Sequence, residues 1–336
     1  MKKIINTTET LIEDMLAGFL AAEKGQIIQS DNNPRVLYKK NKTPGKVGVV
    51  VGGGSGHEPL FFGLIGENFA DSVAVGNIFT APTPDTVLEA IKEADQGAGV
   101  ICLFGNYAGD VLNFEVAAEL AELEEIEVCN LPIIDDVASA TYEKRTERRG
   151  IAGDLFVIKE VAAAASQGFS LERCHQLGQL ANKRTLSIGV GIAPGTNPMN
   201  GKANFELAED EIEFGLGIHG EPGLERMKLL PARELVEKMF VALEGELATY
   251  PEKEVIVCVN GLGSTTMMEL YIINNEIQQL LSQKGLKTVD TVIGNICTTQ
   301  EMAGFSITIQ SLNQELAELY QVAADSPCFF KREVKQ

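Results

Sequence analysis

The sequence has no CxxC pair. Its six cysteines (Cys102, Cys129, Cys174, Cys258, Cys297 and Cys328) are scattered, and four sit in or beside apolar runs, where a thiol behaves as a small core residue. Neither a disulfide framework nor a zinc site is indicated. Basic charge is also scarce: 28 Lys and Arg stand against 47 Asp and Glu, a formal net charge of −19. A free-standing nucleic-acid binder needs a strong local basic patch to overcome such a field, and the sequence carries none. No apolar run approaches the roughly 20 residues of a membrane helix. The start, Met1-Lys2-Lys3-Ile4-Ile5-Asn6-Thr7-Thr8-Glu9, turns polar too soon for a signal peptide. The expectation is a cytoplasmic protein with no membrane partner and no direct nucleic-acid partner. Internal repeats, low-complexity linkers and tryptophan are absent as well.

What remains is a globular composition, with 45% hydrophobic and 22% charged residues, so disorder is excluded as the main state. The length of 336 residues suits two ordinary domains or one large one. Leu11, Met15, Leu16, Phe19 and Leu20 repeat at helical spacing, with Thr8 as a candidate N-cap. Val47 to Val51, Val73 to Val75, Val100 to Phe104 and Ile126 to Val128 read as strands. Thr83 to Asp95 and Phe114 to Leu123 read as helices between them. This alternation predicts a mostly parallel sheet covered on both faces.

After two further helices, Asp154 to Ala165 and Leu171 to Ala181, a new series begins at Leu186. It runs through strands at Leu186–Val190, Glu213–Ile218 and Val255–Val259, helices at Ala232–Leu243 and Met268–Lys284, and strands at Thr288–Ile293 and Ile307–Ile309. The expected class is α/β: two α/β domains with mostly parallel or mixed sheets, residues 1–183 and 184–336, and a ligand site between loops of both.

The 33 glycines cluster after apolar runs, where backbone approaches a ligand closely. Gly52-Gly53-Gly54-Ser55-Gly56-His57-Glu58-Pro59 follows a buried strand as a candidate loop. It is not a P-loop, because no Lys-Ser/Thr follows the glycines. It is not a dinucleotide fingerprint either, since His57 stands where the last glycine belongs. A tight strand-to-helix turn remains the alternative, against which His57 at the loop exit argues. Gly105-Asn106-Tyr107-Ala108-Gly109-Asp110 likewise follows a strand. Two readings are open for Asp110: a partner for a ligand hydroxyl, or a cap for a helix beginning near Val111.

In Gly215-Leu216-Gly217-Ile218-His219-Gly220-Glu221-Pro222-Gly223 the flanking glycines leave the His219 ring open. An unprotonated imidazole nitrogen there can attack a ketone or aldehyde carbon. The alternative is a conformational loop with an incidental histidine. Glu58-Pro59 and Glu221-Pro222 read as turn formers. His175 sits within an amphipathic helix and reads as structural.

The chain resembles the dihydroxyacetone-binding subunits of bacterial dihydroxyacetone kinases over nearly its whole length. The resemblance rests on the three segments above, on Phe79-Thr80-Ala81-Pro82-Thr83-Pro84-Asp85 and on Arg148-Arg149-Gly150-Ile151-Ala152-Gly153. Asn260-Gly261-Leu262-Gly263 and Met302 to Thr308 complete it. It implies a homodimer that binds dihydroxyacetone. His219 would form a hemiaminal with the ketone carbon, and His57 and Asp110 would hydrogen-bond the hydroxyls. Backbone of Gly54, Ser55 and Gly56 would supply N–H donors. No metal and no cofactor is implied.

The chain departs from the kinase subunits in one place that matters. They carry a Lys just before the Asn-Tyr-x-Gly-Asp segment, where its charge can stabilise a transferring phosphoryl group, and this chain has Phe104-Gly105. The charged run Lys144 to Arg149 is a second departure. Retained binding residues with a lost phosphoryl-transfer aid resemble the family's non-catalytic paralogue, a dihydroxyacetone-sensing co-activator of a TetR-type transcription factor. The alternative is a kinase subunit that presents substrate to a nucleotide-carrying subunit. No nucleotide site is visible in the chain, so either reading needs a protein partner.

Overall fold

The computed structural model describes residues 2–332, so Met1 and residues 333–336 of the expected units lie outside the described residues. The first half contains α1 (Leu11–Ala22), β1 (Ile27–Gln29), β2 (Val36–Lys39), β3 (Gly48–Ser55), β4 (Ser72–Ile78), α2 (Pro84–Ala94), β5 (Val100–Gly105), α3 (Ala108–Glu122) and β6 (Val128–Ile133). The strands form one six-stranded sheet in the order β1-β2-β4-β3-β5-β6. It is parallel from β4 to β6 and antiparallel at the β1 edge.

Strands buried on both faces read as continuous apolar runs, as β3 and β5 do. Val50, Val100, Cys102 and Phe104 pack under α2 and α3. The alternate residues Val49, Val51, Ile101 and Leu103 face the opposite way, onto α4 (Asp154–Ser166) and α5 (Leu171–Arg184). Helix α4 is buried along its whole length from Asp154 to Ala165, its alanine-rich apolar residues packing on every side and Asp154, Lys159 and Glu160 buried with them.

The second half holds β7 (Thr185–Ala193), β8 (Glu211–Phe214), β9 (Glu225–Lys228), α6 (Ala232–Leu247), β10 (Glu254–Gly261), α7 (Met267–Gln283), β11 (Lys287–Gly294) and β12 (Ala303–Ser311). Its six-stranded sheet runs β11-β10-β12-β7-β8-β9, with only β10 and β11 parallel. Period-2 alternation divides β10 between two cores. Val255, Val257 and Val259 pack on α6 and α7, and Ile256 and Cys258 pack towards α4. The chain closes with α8 (Gln314–Gln321), β13 (Ala324–Ser326) and β14 (Phe329–Lys331). Leu316, Tyr320 and Phe329 return these elements to the core beneath the first sheet. The molecule is thus a mixed α/β fold in which α4, α5 and α8 form a helical layer between two sheets. Among the described residues no helix is long and apolar enough to cross a membrane.

Several elements differ from their sequence reading. Gly52, Gly53 and Gly54 do not form a loop but lie inside β3. Helix α3 begins at Ala108 rather than Phe114, so Asp110 sits in its first turn and Tyr107 occupies the capping position. Helix α1 begins after Thr10, not Thr8, and Thr10 makes no side-chain cap. The expected strand Glu213–Ile218 ends at Phe214, where Gly215 turns the chain out of the sheet at φ 82°.

Candidate functional site

Strands β3 and β5 end side by side, and the loops after them face the loop after β8. Gly53, Gly54, His57, Gly105, Tyr107, Asp110, Gly150, Asp154 and His219 line the resulting pocket, closed by Phe61 and Ile218. A side chain at Gly54 would place its Cβ 2.8 Å from the Thr80 amide nitrogen, so only glycine lets β3 continue there. Gly56 has φ 108°, and its N–H donates to Glu58 Oε1 at 2.8 Å. Ser55 Oγ donates to the Gly76 carbonyl at 2.8 Å. Ser55 and Gly56 therefore shape the turn, whereas Gly53 and Gly54 form pocket wall.

The two histidines meet directly, Nε2 to Nε2 at 3.0 Å. His57 is buried, and its Nδ1 lies 2.7 Å from the Thr298 carbonyl. A carbonyl only accepts, so Nδ1 carries the proton and Nε2 presents a lone pair. Burial, reinforced by the neighbouring His219, pushes His57 down to about 3, so it rests neutral. His219 has its Nδ1 3.0 Å from Glu221 Oε1, and its backbone N–H donates to Glu221 Oε2 at 2.9 Å. Burial alone would raise the Glu221 carboxyl, but the His219 hydrogen bond and charge, helped by Arg149, bring it down to about 2. Glu221 is thus an ionised acceptor, and His219 Nδ1 is a donor. The two Nε2 atoms, 3.0 Å apart, form a hydrogen bond when either of them carries a proton.

Aromatic rings wall this pair. Tyr107 stands edge-on to the His219 ring at 4.7 Å, and its hydroxyl donates to the Gly150 carbonyl at 3.1 Å. Phe79 contacts both imidazoles. A Cβ on Gly105 would lie 3.1 Å from the Tyr107 ring. The carboxyls of Asp110 and Asp154 complete the lining, and Oδ1 of each is buried without a hydrogen-bond partner. The capping reading of Asp110 fails because α3 already begins at Ala108, with Tyr107 in the capping position. Burial raises Asp110 to about 7 and lifts Asp154 well above the ordinary carboxylate range. Among the described residues no group of three His, Cys, Asp or Glu side chains is placed to hold a metal.

Residues that the sequence reading passed over hold the site together. The segment between β11 and β12 clamps both histidine loops. Thr298 accepts from His57 and donates through Oγ1 to the Glu58 carbonyl, while Thr299 Oγ1 donates to the Ile218 carbonyl. Asn260, fully buried at the end of β10, fixes this segment by accepting from the Ile296 and Cys297 amides and donating to the Cys297 carbonyl. A lone Asn closing the apolar run Val255–Val259 was the available signal. Glu221, read as a turn former, also orients His219.

Arg149 pairs with Asp136 at 2.8 Å and lies 3.8 Å from Glu221. Its neighbour Arg148 points away and pairs with Glu246 on α6. His175 lies on α5 outside the pocket, as expected.

Comparison with known proteins places the chain in a family. Residues 17–328 match the Dak1 domain family. The chain is 41% identical over 330 residues to the PTS-dependent dihydroxyacetone kinase 2, dihydroxyacetone-binding subunit DhaK of Listeria innocua, covering 98% of this chain and 99% of that protein. Identity is 42% over 315 residues to the corresponding kinase 1 subunit of that organism, covering 94% and 95%. Among solved structures, the dihydroxyacetone kinase operon co-activator Dha-DhaQ superposes with a TM-score of 0.89 at 31% identity, over 95% of this chain and 98% of that one. The matched span contains every residue of the pocket wall, and the chain belongs to the Dak1 family.

Proposed function

We propose that this chain captures dihydroxyacetone as a hemiaminal on His219. The observation that carries this reading is the histidine pair, Nε2 to Nε2 at 3.0 Å with each Nδ1 beside an acceptor. In this reading a proton shared by the Nε2 atoms moves onto His57 and frees the His219 Nε2 lone pair to attack the ketone carbon. The carbonyl π pair passes to the oxygen, and His57 returns the proton to it. A His57 held near 3 gives up its proton readily. The products are a new N–C bond, a hydroxyl and an alkylated imidazolium whose charge faces the Glu221 carboxylate. Glycerol offers no electrophilic carbon and is excluded by this chemistry. The test is carbon NMR with dihydroxyacetone labelled at the carbonyl. Wild type converts the ketone signal to that of a tetrahedral carbon, and a His219→Ala variant that still does so refutes the reading.

The output we assign is sensing: a cytoplasmic homodimer whose occupancy alters its affinity for a TetR-type transcriptional regulator. Two observations support it, the absence of any Lys or Arg from the pocket wall and the likeness to a co-activator. The higher identity to kinase subunits favours a second reading, presentation of the ketotriose to a nucleotide-binding subunit. Mixing the chain with such a subunit and nucleotide separates them. Rapid phosphorylation establishes the kinase role, and none, together with ligand-dependent binding of the regulator, establishes the sensor.

A further inference from the structure

Asp154 begins α4, is 1% exposed, and directs into the pocket a carboxyl whose buried Oδ1 has no hydrogen-bond partner. An unsatisfied buried polar atom is destabilising and calls for an explanation. Packing does not supply one. The adjacent Asp135 carboxyl accepts the Ile151 and Gly153 amides and so orders the turn into α4. Asp154 does none of that work. Across the same pocket Asp110, from the first turn of α3, presents a second unpartnered oxygen. The remaining unpartnered buried atoms, such as those of Glu160 and Gln310, lie outside this pocket.

We infer that Asp154 is a ligand-recognition residue, hydrogen-bonding the hydroxyl on one side of a ketone carbon while Asp110 holds the hydroxyl on the other. The inference rests on capture at His219. It assigns the pocket to ketones carrying a hydroxyl on both flanking carbons. Burial, reinforced by the neighbouring acids Asp135 and Asp110, holds the Asp154 carboxyl well above the ordinary carboxylate range, and its protonated form can donate as well as accept. Such a pair of acids discriminates by leaving one of its members unpaired when the ligand lacks a hydroxyl.

The experiment compares dihydroxyacetone with hydroxyacetone, which has one hydroxyl fewer, in wild type and Asp154→Ala, reading adduct formation at the labelled carbonyl carbon. Hydroxyacetone's single hydroxyl is assigned to Asp110, an assignment that Asp110→Ala checks by losing hydroxyacetone capture. Asp154→Ala therefore lowers dihydroxyacetone affinity roughly 5- to 150-fold and changes hydroxyacetone affinity by less than about twofold. Retained hydroxyacetone capture also shows that the variant is folded. Should Asp154→Ala not fold, Asp154→Leu is read by the same ratio. An unchanged ratio of the two affinities, whether both fall together or neither moves, overturns the inference while leaving His219 capture intact. Failure of wild type to form an adduct with either ketone overturns both.

Discussion

Replacing Glu221 with Gln perturbs the nucleophile without touching it. Glu221 spans two donors, the His219 Nδ1–H at 3.0 Å and the His219 backbone N–H at 2.9 Å, one on each carboxylate oxygen. An amide has one oxygen, so Glu221→Gln keeps one of these bonds and turns an NH2 towards the other donor. If the NH2 faces Nδ1, the ring adopts the Nε2–H tautomer and the attacking lone pair is lost. If it faces the backbone N–H, the tautomer survives but the countercharge to the alkylated imidazolium does not. A hydrogen bond to a charged group contributes about 1.5–3 kcal/mol. The Glu221 side chain is 31% exposed, so solvent moderates its loss towards the lower end. At about 1.4 kcal/mol per decade, a loss of about 1.5 kcal/mol lowers adduct affinity roughly 10-fold. Titration with carbonyl-labelled dihydroxyacetone measures it. Affinity in Glu221→Gln within about twofold of wild type refutes the assignment of Glu221 as the group that orients His219.

Other perturbations follow from the same geometry. Asp110 is raised to about 7 by burial, so the free protein holds its proton where the unfolded chain has lost it. That stabilisation is complete below the unfolded value of about 3.8 and is lost as pH rises to about 7. Asp110→Asn therefore melts higher relative to wild type at pH 8 than at pH 5, and a pH-independent difference contradicts the burial argument. Gly105→Ala drives a Cβ to 3.1 Å from the Tyr107 ring, and overpacking of about 1–3 kcal/mol should appear in denaturant unfolding together with weaker capture. Arg148, 2% exposed, pairs with Glu246 and donates to the Ala140 carbonyl. Arg148→Ala should destabilise by about 3–5 kcal/mol in denaturant unfolding, and a loss below about 1 kcal/mol marks the pair as dispensable.

The sequence exposed the elements whose residues carry one dominant signal. Val49–Val51, Val100–Phe104 and Val255–Val259 are β-branched or apolar runs, and each lies in a central strand. Where signals conflict, the boundaries moved. Gly109 and Asp110 are poor helix formers, yet α3 includes them, because tertiary context outweighs local propensity. Strand β12 extends from Ala303 to Ser311, beyond its apolar centre, because Ser306, Thr308 and Gln310 alternate with Phe305, Ile307 and Ile309. The site divided in the same way. His57, Asp110 and His219 were visible as reactive side chains beside glycine, and the structure brings all three to one pocket. Thr298 acts through a backbone carbonyl and Tyr107 through the edge of its ring, contributions that leave no compositional mark. Asp154 was read only as the start of a helix, because the missing hydrogen-bond partner of its Oδ1 is a fact of packing.

That missing partner also bears on how occupancy is signalled. A ligand shifts only an equilibrium whose states it binds differently. In the free protein the pocket holds two acids with an unpartnered oxygen each and the paired imidazoles of His57 and His219, on loops from both sheets. The His57 loop and the β11–β12 segment are joined through Gly56, His57 and Glu58, and that segment in turn holds the His219 loop through Thr299. A ligand that satisfies the acids and bonds to His219 acts on every one of these connections at once. The unsatisfied oxygens, each destabilising by about 1–3 kcal/mol when unpaired, make the free state the strained one. On the proposed reading, capture would relieve that strain where the three loops converge, and the ligand would stabilise their mutual positions more than either sheet alone. A partner that reads those loops then gains affinity from the same free energy that binds the ketone.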